Sequence, residues 1–369
     1  MNISDIQRNS YQLCGPLAKK GYMRWWHSFS GLEPASGEVR TFFVEFFVIN
    51  PKLSHDIPIY GQHPYYKKNG IKPSYVMVKA GVLPGANGEP GKQLHAFYPI
   101  SALRATGSPL LMEVEDCFYS EDHISGCVEV SSAEAQKRYL MTDAGVMVWD
   151  LEVHKSVACH TGLCSSLLAQ FCNVLDSYWH GEGIRSFFRG TVLLDGVKYI
   201  VSPELSYGYA DKHWGRNFNN PWFQFTGSKL QSERTGKELR HSVLAINGCI
   251  PRFFKFPLRR RLMLQLTYTG EDFSFMNCRW ETKETNKRYI WHIIAKNKTA
   301  IIKISGSCLK SQMMNMNYEN PDGRRSKLPL WIGSAGVGTI KIYRRTPQGR
   351  ELLDTLTINN ALCEYRAEL

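Results

Sequence analysis

Short runs of β-branched and aromatic residues alternate with turn residues along most of the chain, a pattern typical of β-strands. Six such runs lie in residues 1–203, at 41–50, 74–83, 110–119, 144–154, 186–194 and 197–202. The second half adds runs at 262–269, 288–305 and 338–344. Asp195-Gly196 separates two of them at the spacing of a two-residue hairpin, and polar residues around Lys298 predict a turn inside 288–305. Residues 160–176 are the best helix candidate.

Many short strands joined by turns favour a barrel or a sandwich. We predict an all-β protein of two tandem antiparallel β-barrels or sandwiches with few short helices. We predict a domain boundary shortly after the hairpin at Asp195-Gly196, which gives domains at 1–203 and 204–369. A barrel of about eight strands in each domain could hold one small ligand.

Composition narrows the class of protein. The 369 residues are 43% hydrophobic and 21% charged, which excludes a disordered or collagen-like chain. The formal net charge of +12 favours an anionic partner, such as nucleic acid, an anionic membrane surface or an anionic ligand. The N-terminal residues lack the apolar stretch of a signal peptide, and the ten cysteines are irregularly spaced. We therefore expect reduced thiols and a cytoplasmic location.

Standard catalytic and metal-binding motifs are missing from the sequence. It contains no GxGxxG, GxxxxGK[ST], HExxH or GxSxG pattern. Cys159, Cys164 and Cys172 lie near His160, but their intervals do not match a zinc site. We predict no metal, and we interpret these cysteines as small buried apolar side chains.

Residues 252–262 combine aromatic and basic side chains, with Arg259, Arg260 and Arg261 beside phenylalanines and Leu258. Three interpretations stay open: peripheral contact with anionic lipid, where a lipophilic substrate enters, contact with a nucleic acid backbone, or a solvated hairpin with inward phenylalanines. Because no RNA-binding motif or recognition helix accompanies the stretch, we predict no nucleic acid partner.

Three stretches rich in aromatic and polar residues supply the candidate site. They are residues 21–27, residues 178–182 and the densest one, residues 204–225. Their chemistry-bearing side chains are Arg24, Trp25, Trp26, Trp179, His180, Glu204, Tyr207, Tyr209, Asp211, His213, Trp214, Trp222 and Gln224.

Alternate residues of a strand share a face, so Tyr207, Tyr209 and Asp211 are expected to project together. Aromatic walls would desolvate the carboxyl group, raise its pKa and keep it protonated near neutral pH. Aromatic faces also stabilise a developing carbocation. The alternative is an ordinary core strand whose Asp211 is satisfied by backbone amides, Lys212 or Arg216.

The residues 209–215 and 221–224 resemble the signature of the tocopherol cyclase family, an acidic residue, Lys, Asn, Trp and Gly followed by Pro-x-x-Trp. Residues 338–363 resemble that family's closing strand pair. Trp25-Trp26 with the strand that follows is similar to the first strand of the wider superfamily. That superfamily includes carotenoid hydratases and lipocalin-like Diels–Alderases. The resemblance implies two lipocalin-like barrels with a hydrophobic pocket near their junction and cofactor-free chemistry.

Carried over residue by residue, the resemblance places Asp211 where relatives have an acidic residue, and Trp214, Gly215 and Trp222 match directly. Arg24 replaces a residue that is commonly acidic, and His213 replaces the usual Asn. Both departures make the site more basic, which suits an anionic or carboxylate-bearing lipid.

The leading hypothesis is a cyclase or isomerase that protonates a hydrophobic isoprenoid or polyene substrate and closes a ring. Asp211 would be the general acid, Tyr207 and Tyr209 would orient the substrate or relay the proton, and His213 completes the catalytic set. The predicted substrate-binding residues are Arg24, Trp25, Trp26, Trp179, His180, Glu204, Trp214, Trp222 and Gln224, with Trp25, Trp179, Trp214 and Trp222 as the walls of the pocket. The alternatives are a carrier that binds a lipophilic ligand unchanged and an enzyme that adds water to an alkene.

Overall fold

The computed structural model describes residues 3–159, 175–205, 207–218, 222–250, 252–253, 256–258, 261–276, 278–323 and 328–366. Helices are few and short in this part of the chain: α1 Ile3–Asn9, α2 Gly15–Lys19, α3 Pro64–Lys68 and α4 Ser132–Ala135, with 3-10 turns at Ile100–Ala102 and Lys310–Gln312. No helix among the described residues is long and apolar enough to cross a membrane. The predicted helix at 160–176 falls almost wholly outside the described residues.

The first sheet has twelve antiparallel strands in the order β4-β3-β2-β1-β11-β10-β9-β8-β7-β6-β5, with β12 paired to both β1 and β10. The strands are β1 Tyr22–Leu32, β2 Val39–Ile49, β3 Tyr75–Val82, β4 Lys92–Tyr98, β5 Leu103–Ala105, β6 Met112–Val114, β7 Cys117–Tyr119, β8 His123–Val130, β9 Gly145–Cys159, β10 Ser177–Leu194, β11 Val197–Val201 and β12 Gly208–Gly215. The sheet curls until β4 approaches β8, which gives it the form of a barrel.

The second sheet has eleven antiparallel strands in the order β19-β18-β15-β13-β25-β24-β22-β21-β20, with β14 added to β25 and β23 added to β24. Its strands are β13 Trp222–Thr226, β14 Leu230–Ser232, β15 Val243–Cys249, β18 Arg261–Tyr268, β19 Glu271–Phe275, β20 Arg279–Glu284, β21 Arg288–Lys296, β22 Ala300–Leu309, β23 Met314–Tyr318, β24 Leu328–Thr346 and β25 Gly349–Arg366. Two short strands, β16 Arg252–Phe253 and β17 Phe256–Pro257, pair only with each other. The predicted class, all-β with two tandem antiparallel sheets and few short helices, is confirmed.

Both predicted turns are present. Asp195 and Gly196 have φ angles of 49° and 85°, as a type I′ turn requires, and they join Leu194 to Val197 in a tight hairpin. The run 288–305 divides into β21 and β22 around Lys298. The run 110–119 also divides, into β6 and β7, because Glu115 turns the chain with a φ of 48°.

Two hydrophobic cores follow the two sheets. The first core includes residues of the second sheet, among them Trp222, Tyr318 and Leu362, so it continues across the junction of the sheets. The other core lies within the second sheet, around Phe225, Trp291 and further apolar residues. The division at 203/204 stays a prediction, although β12 belongs to the first sheet, which argues for a boundary between residues 215 and 222.

Candidate active site at the junction of the sheets

A row of polar and charged residues crosses the first sheet on the face that meets the second sheet. Asp211 of β12 pairs with Trp26 of β1, which pairs with Glu45 of β2, and Glu45 pairs with Lys79 of β3. Residues opposite each other in an antiparallel sheet project to the same side. Strand pairing therefore gathers one carboxyl group from β12, one from β2 and an amine from β3. We call this side of the first sheet the junction face.

Asp211 is the most perturbed acid on the junction face. It is 1% exposed, and its Oδ2 accepts hydrogen bonds from Trp179 Nε1 at 3.0 Å and Tyr209 Oη at 2.8 Å. Its Oδ1 has no hydrogen-bond partner among the described residues. Burial raises the pKa of Asp211 to about 7, against the opposing effect of Arg24. A proton on this carboxyl group is therefore available near neutral pH.

Tyr209 is hydrogen-bonded to Asp211 and also lines a cavity at the junction of the sheets. Its hydroxyl also accepts a hydrogen bond from Gln224 Nε2 at 2.5 Å, and the residue lines a cavity of about 190 Å³ between the two sheets. Asp211 itself is not among the residues that line this cavity. Hydroxyl side chains dominate the polar part of the lining, including Ser28, Ser30, Thr41, Thr226, Ser228 and Ser334.

Arg24 holds the two sheets together beside Asp211. Its Nε donates to Glu45 Oε2 at 2.8 Å, and its Nη2 donates to Glu364 Oε1 of the second sheet at 2.9 Å. Glu364 accepts a further bond at 2.7 Å from Trp222 Nε1. The guanidinium group also lies 4.8 Å from the ring centre of Trp26. Arg24 therefore neutralises two buried carboxylates and is not an unpaired cation waiting for an anionic ligand.

His213 lies on the same face as Asp211 but has a different partner. Its Nδ1 is 2.5 Å from Tyr22 Oη, and its ring makes an edge contact with Trp222 at 4.8 Å. Burial lowers the pKa of His213 to about 3, and Arg24 adds to the effect. The imidazole is therefore neutral at pH 7 and lines, with Arg24 and Trp222, a second cavity of about 20 Å³. That volume suits about one water molecule.

Several predicted site residues lie on the opposite face of the sheet. Trp25 donates to Asn9 O at 3.3 Å, and Trp214 stacks on Tyr178. His180 Nδ1 lies 2.9 Å from Asn9 Oδ1. The described residues show no contact between these three side chains and Asp211. Of the four tryptophans of the expected wall, Trp179 is bonded to Asp211, whereas Trp222 contacts Glu364 and His213. Their roles in substrate binding stay predictions.

Lys212 is also on that opposite face, and it does not neutralise Asp211. Its Nζ donates to the carbonyl oxygens of Arg8 and Ser10, each at 2.6 Å, and lies 4.4 Å from the ring centre of Trp214. The alternation of side chains along β12 separates the two neighbours, because each faces a different side of the sheet.

Tyr207 and Glu204 need a correction. Strand β12 begins at Gly208, so Tyr207 is outside the alternation that we expected to bring it beside Asp211. Its hydroxyl instead donates to both carboxylate oxygens of Glu238 at 3.2 Å. Glu204 is exposed in the preceding turn. Neither residue contacts Asp211, Tyr209 or Gln224 in the described part of the chain.

The sequence analysis missed three residues of the junction, Glu45, Lys79 and Glu364. Tyr318 Oη donates to Glu45 Oε2 at 2.6 Å, and Lys79 Nζ is 3.5 Å from Glu45 Oε1. Burial lowers the pKa of Lys79 to about 8. Glu45 is the only charged residue in the predicted apolar strand 41–50, and Lys79 is the only one in the predicted apolar strand 74–83. Such an isolated charge signals a buried ion pair.

No group of three or more His, Cys, Asp or Glu side chains among the described residues has the geometry to hold a metal ion. Cys159 is buried, whereas His160, Cys164 and Cys172 lie outside the described residues. The absence of metals and cofactors from the chemistry stays a prediction.

The aromatic and basic stretch at 252–262 contains the isolated hairpin β16–β17. Phe256 in that hairpin is 74% exposed, whereas Leu258 packs against the first core. Arg259 and Arg260 lie outside the described residues. Contact of this stretch with lipid stays a prediction.

Comparisons with known proteins leave the family open. No protein-family model and no curated protein matches the sequence. Among solved structures, an AttH-like protein of Nitrosomonas europaea is similar, with 11% identity, a TM-score of 0.46 and 92% of each chain covered. Kievitone hydratase of Nectria haematococca is similar with 11% identity and a TM-score of 0.48, covering 100% of this chain and 93% of that one. Similarities this distant assign no activity, and the resemblance to tocopherol cyclases stays a prediction.

Proposed function

We propose that the protein is a cofactor-independent enzyme that protonates a carbon–carbon double bond of a hydrophobic substrate, with Asp211 as the proton source. One observation carries the proposal: a fully buried carboxyl group is hydrogen-bonded to Tyr209, a residue that lines the cavity between the sheets. A positioned acid of this kind contributes about 10²–10⁴-fold to a rate.

Tyr209 would pass the proton from Asp211 to the substrate. A hydroxyl group donates one hydrogen and accepts through two lone pairs, so the 2.8 Å contact also permits a protonated Asp211 to donate to Tyr209. Tyr209 then gives its own proton to the alkene carbon as it takes the proton of Asp211. The products of this step are a carbocation in the cavity and the Asp211 carboxylate.

Ring closure is the first way to complete the reaction. A hydroxyl group of the same substrate attacks the cation, forms the carbon–oxygen bond and loses its proton, which returns through Tyr209 to Asp211. The substrate and the cyclic product then have the same mass. This is the tocopherol-cyclase-like reaction for an isoprenoid or polyene substrate, and holding the chain in a folded conformation would supply much of the acceleration.

Addition of water is the second way, and the hydroxyl-rich lining of the cavity favours it. Ser28, Ser30, Thr41, Thr226 and Ser228 can hold a water molecule near the cation. Water attacks, its proton returns to Asp211, and the product is heavier by one water.

The test compares Asp211→Asn with wild type on a panel of prenylquinols, polyenes and other prenylated phenols, with products identified by mass and retention time. Asp354→Asn is a matched control because Asp354 is 3% exposed and accepts hydrogen bonds from Ser232 and Tyr268, yet it does not line the cavity. We expect Asp211→Asn to remove turnover by at least about 10²-fold while the variant still folds and binds lipid, and Asp354→Asn to retain turnover.

The outcomes separate the candidate functions. An isomeric product supports the cyclase, and a product heavier by one water supports the hydratase. Recovery of every bound ligand unchanged would establish the carrier and reject the proposal. Full activity of Asp211→Asn would reject the role of Asp211.

A further inference from the structure

A groove of about 740 Å³ lies on the outside of the junction, where β9 and β10 meet the segment before β15. Val157, Phe187 and Pro203 supply its apolar lining. Its polar and charged lining residues are Ser156, Arg185, Glu204, Tyr207, Glu238, Arg240 and His241. Charged side chains of both signs border the groove, which does not favour an anion over a neutral ligand.

Tyr207 borders both this groove and the inner cavity that Tyr209 lines. Glu238 fixes its hydroxyl, with both oxygens at 3.2 Å, and Lys229 Nζ lies 4.8 Å from the centre of its ring. Tyr207 therefore lies where the two spaces approach each other, with its hydroxyl bonded to a carboxylate and its ring beside an ammonium group.

The two volumes differ in what they can hold. A cavity of about 150 Å³ accommodates a benzene-sized group, whereas pockets for drug-sized ligands measure about 300–1,000 Å³. The inner cavity, at about 190 Å³, has room for the reacting end of a long lipophilic molecule and not for its whole chain. The groove, at about 740 Å³, has room for the remainder.

We propose that the groove is a second subsite, which binds the uncharged prenyl or acyl chain of the substrate, and that Tyr207 determines how much chain passes from the cavity into it. This inference rests on the proposed function, since it takes the inner cavity as the place of reaction. It assigns to Tyr207 a role in chain-length specificity in place of contact with Asp211.

The test measures binding, so it does not depend on turnover. Prenyl alcohols of five, ten, fifteen and twenty carbons compete with an uncharged fluorescent probe, N-phenyl-1-naphthylamine, for the purified protein. Full burial of one methylene group raises affinity about fourfold. An isoprene unit has five carbons, and if the groove realises one third of their full burial energy, each unit raises affinity about tenfold. We expect affinity to rise about tenfold for each unit beyond the first two.

Two variants locate the effect. Tyr207→Trp enlarges the side chain that lines both spaces, and Phe187→Glu places a charge in the groove. Each should weaken binding of the two longest alcohols by about tenfold or more. Phe187→Glu should change binding of the five-carbon alcohol little, because Phe187 does not line the inner cavity. Phe118→Glu is the matched control, because Phe118 is a half-buried phenylalanine of β7 that does not line the groove. It should leave the whole series unchanged.

A wild-type affinity that does not rise beyond ten carbons would overturn the proposal, as would equal losses for all chain lengths in Phe187→Glu. Both results are distinguishable from failure of the proposed function, because a carrier with the same groove would still show the chain-length series while forming no product.

Discussion

Loss of the Arg24 side chain is expected to weaken the junction between the two sheets severely. Arg24 is 2% exposed and pairs with Glu45 and Glu364, both fully buried. Removing one partner of a buried ion pair leaves an uncompensated charge and costs about 3–5 kcal/mol. We therefore expect Arg24→Met to lower the free energy of unfolding by that amount.

The experiment is urea unfolding at pH 7, followed by tryptophan fluorescence and circular dichroism. Arg344→Met is the matched control, because Arg344 pairs with Glu271 at 2.6 Å and both side chains are 48% exposed. Exposed pairs contribute about 0–1 kcal/mol and weaken with salt. The double variant Arg24→Met/Glu364→Gln should recover part of the loss, since it removes one of the stranded charges.

A loss below about 1 kcal/mol for Arg24→Met, equal to that of the control, would refute the reasoning. It would mean that water reaches the junction and screens the two carboxylates, and Asp211 would then lie in water as well.

The remaining predictions concern the acid, its donors and the exposed hairpin. The pKa of Asp211 is about 7 in the folded protein, against an ordinary value of 3.8. Between these two pH values the folded protein holds a proton that the unfolded chain has released, so the free energy of unfolding falls as pH rises from about 4 to 7. Asp211→Asn should remove this fall of about 4 kcal/mol, measured as the difference in unfolding free energy between variant and wild type across that range. A pH-independent difference would contradict this. Trp179→Phe deletes a donor that favours the ionised carboxyl group, so the decline of activity at high pH should move to higher pH; an unmoved profile would show that the indole does not act on Asp211. Phe256→Ser should reduce sedimentation with vesicles containing anionic lipid, whereas Leu352→Ser, at a residue 51% exposed, should not; equal binding by both variants would exclude the hairpin as the lipid contact.

Local patterns predicted the fold well, because strand alternation and turn formation depend on residues that are close together in the sequence. The turn at Asp195-Gly196 requires positive φ at both positions, and the residues there permit it. The division of 110–119 was missed because Glu115 adopts a positive φ, which is uncommon for a glutamate and so gave no turn signal in the sequence. The helix expected at 160–176 lies outside the described residues except for Leu175 and Asp176.

The site was only half predictable, because its parts meet across sheets. Tyr209 and Asp211 are two residues apart on one strand, and the alternation rule places them together. Arg24 and Glu364 are 340 positions apart, and no local pattern joins them. Tyr207 was misplaced because the alternation rule was extended one residue beyond the start of β12.

The proposed chemistry requires a protonated Asp211 near neutral pH, so the protonation state of this carboxyl group is the decisive measurement. Infrared difference spectroscopy of the carboxyl C=O stretch, titrated from pH 4 to 9 in wild type and assigned with Asp211→Asn, reports it without any substrate. The account predicts a band that is present at pH 5, is lost with a midpoint near pH 7 and is missing from the variant. A carboxyl group already ionised at pH 5 would contradict it.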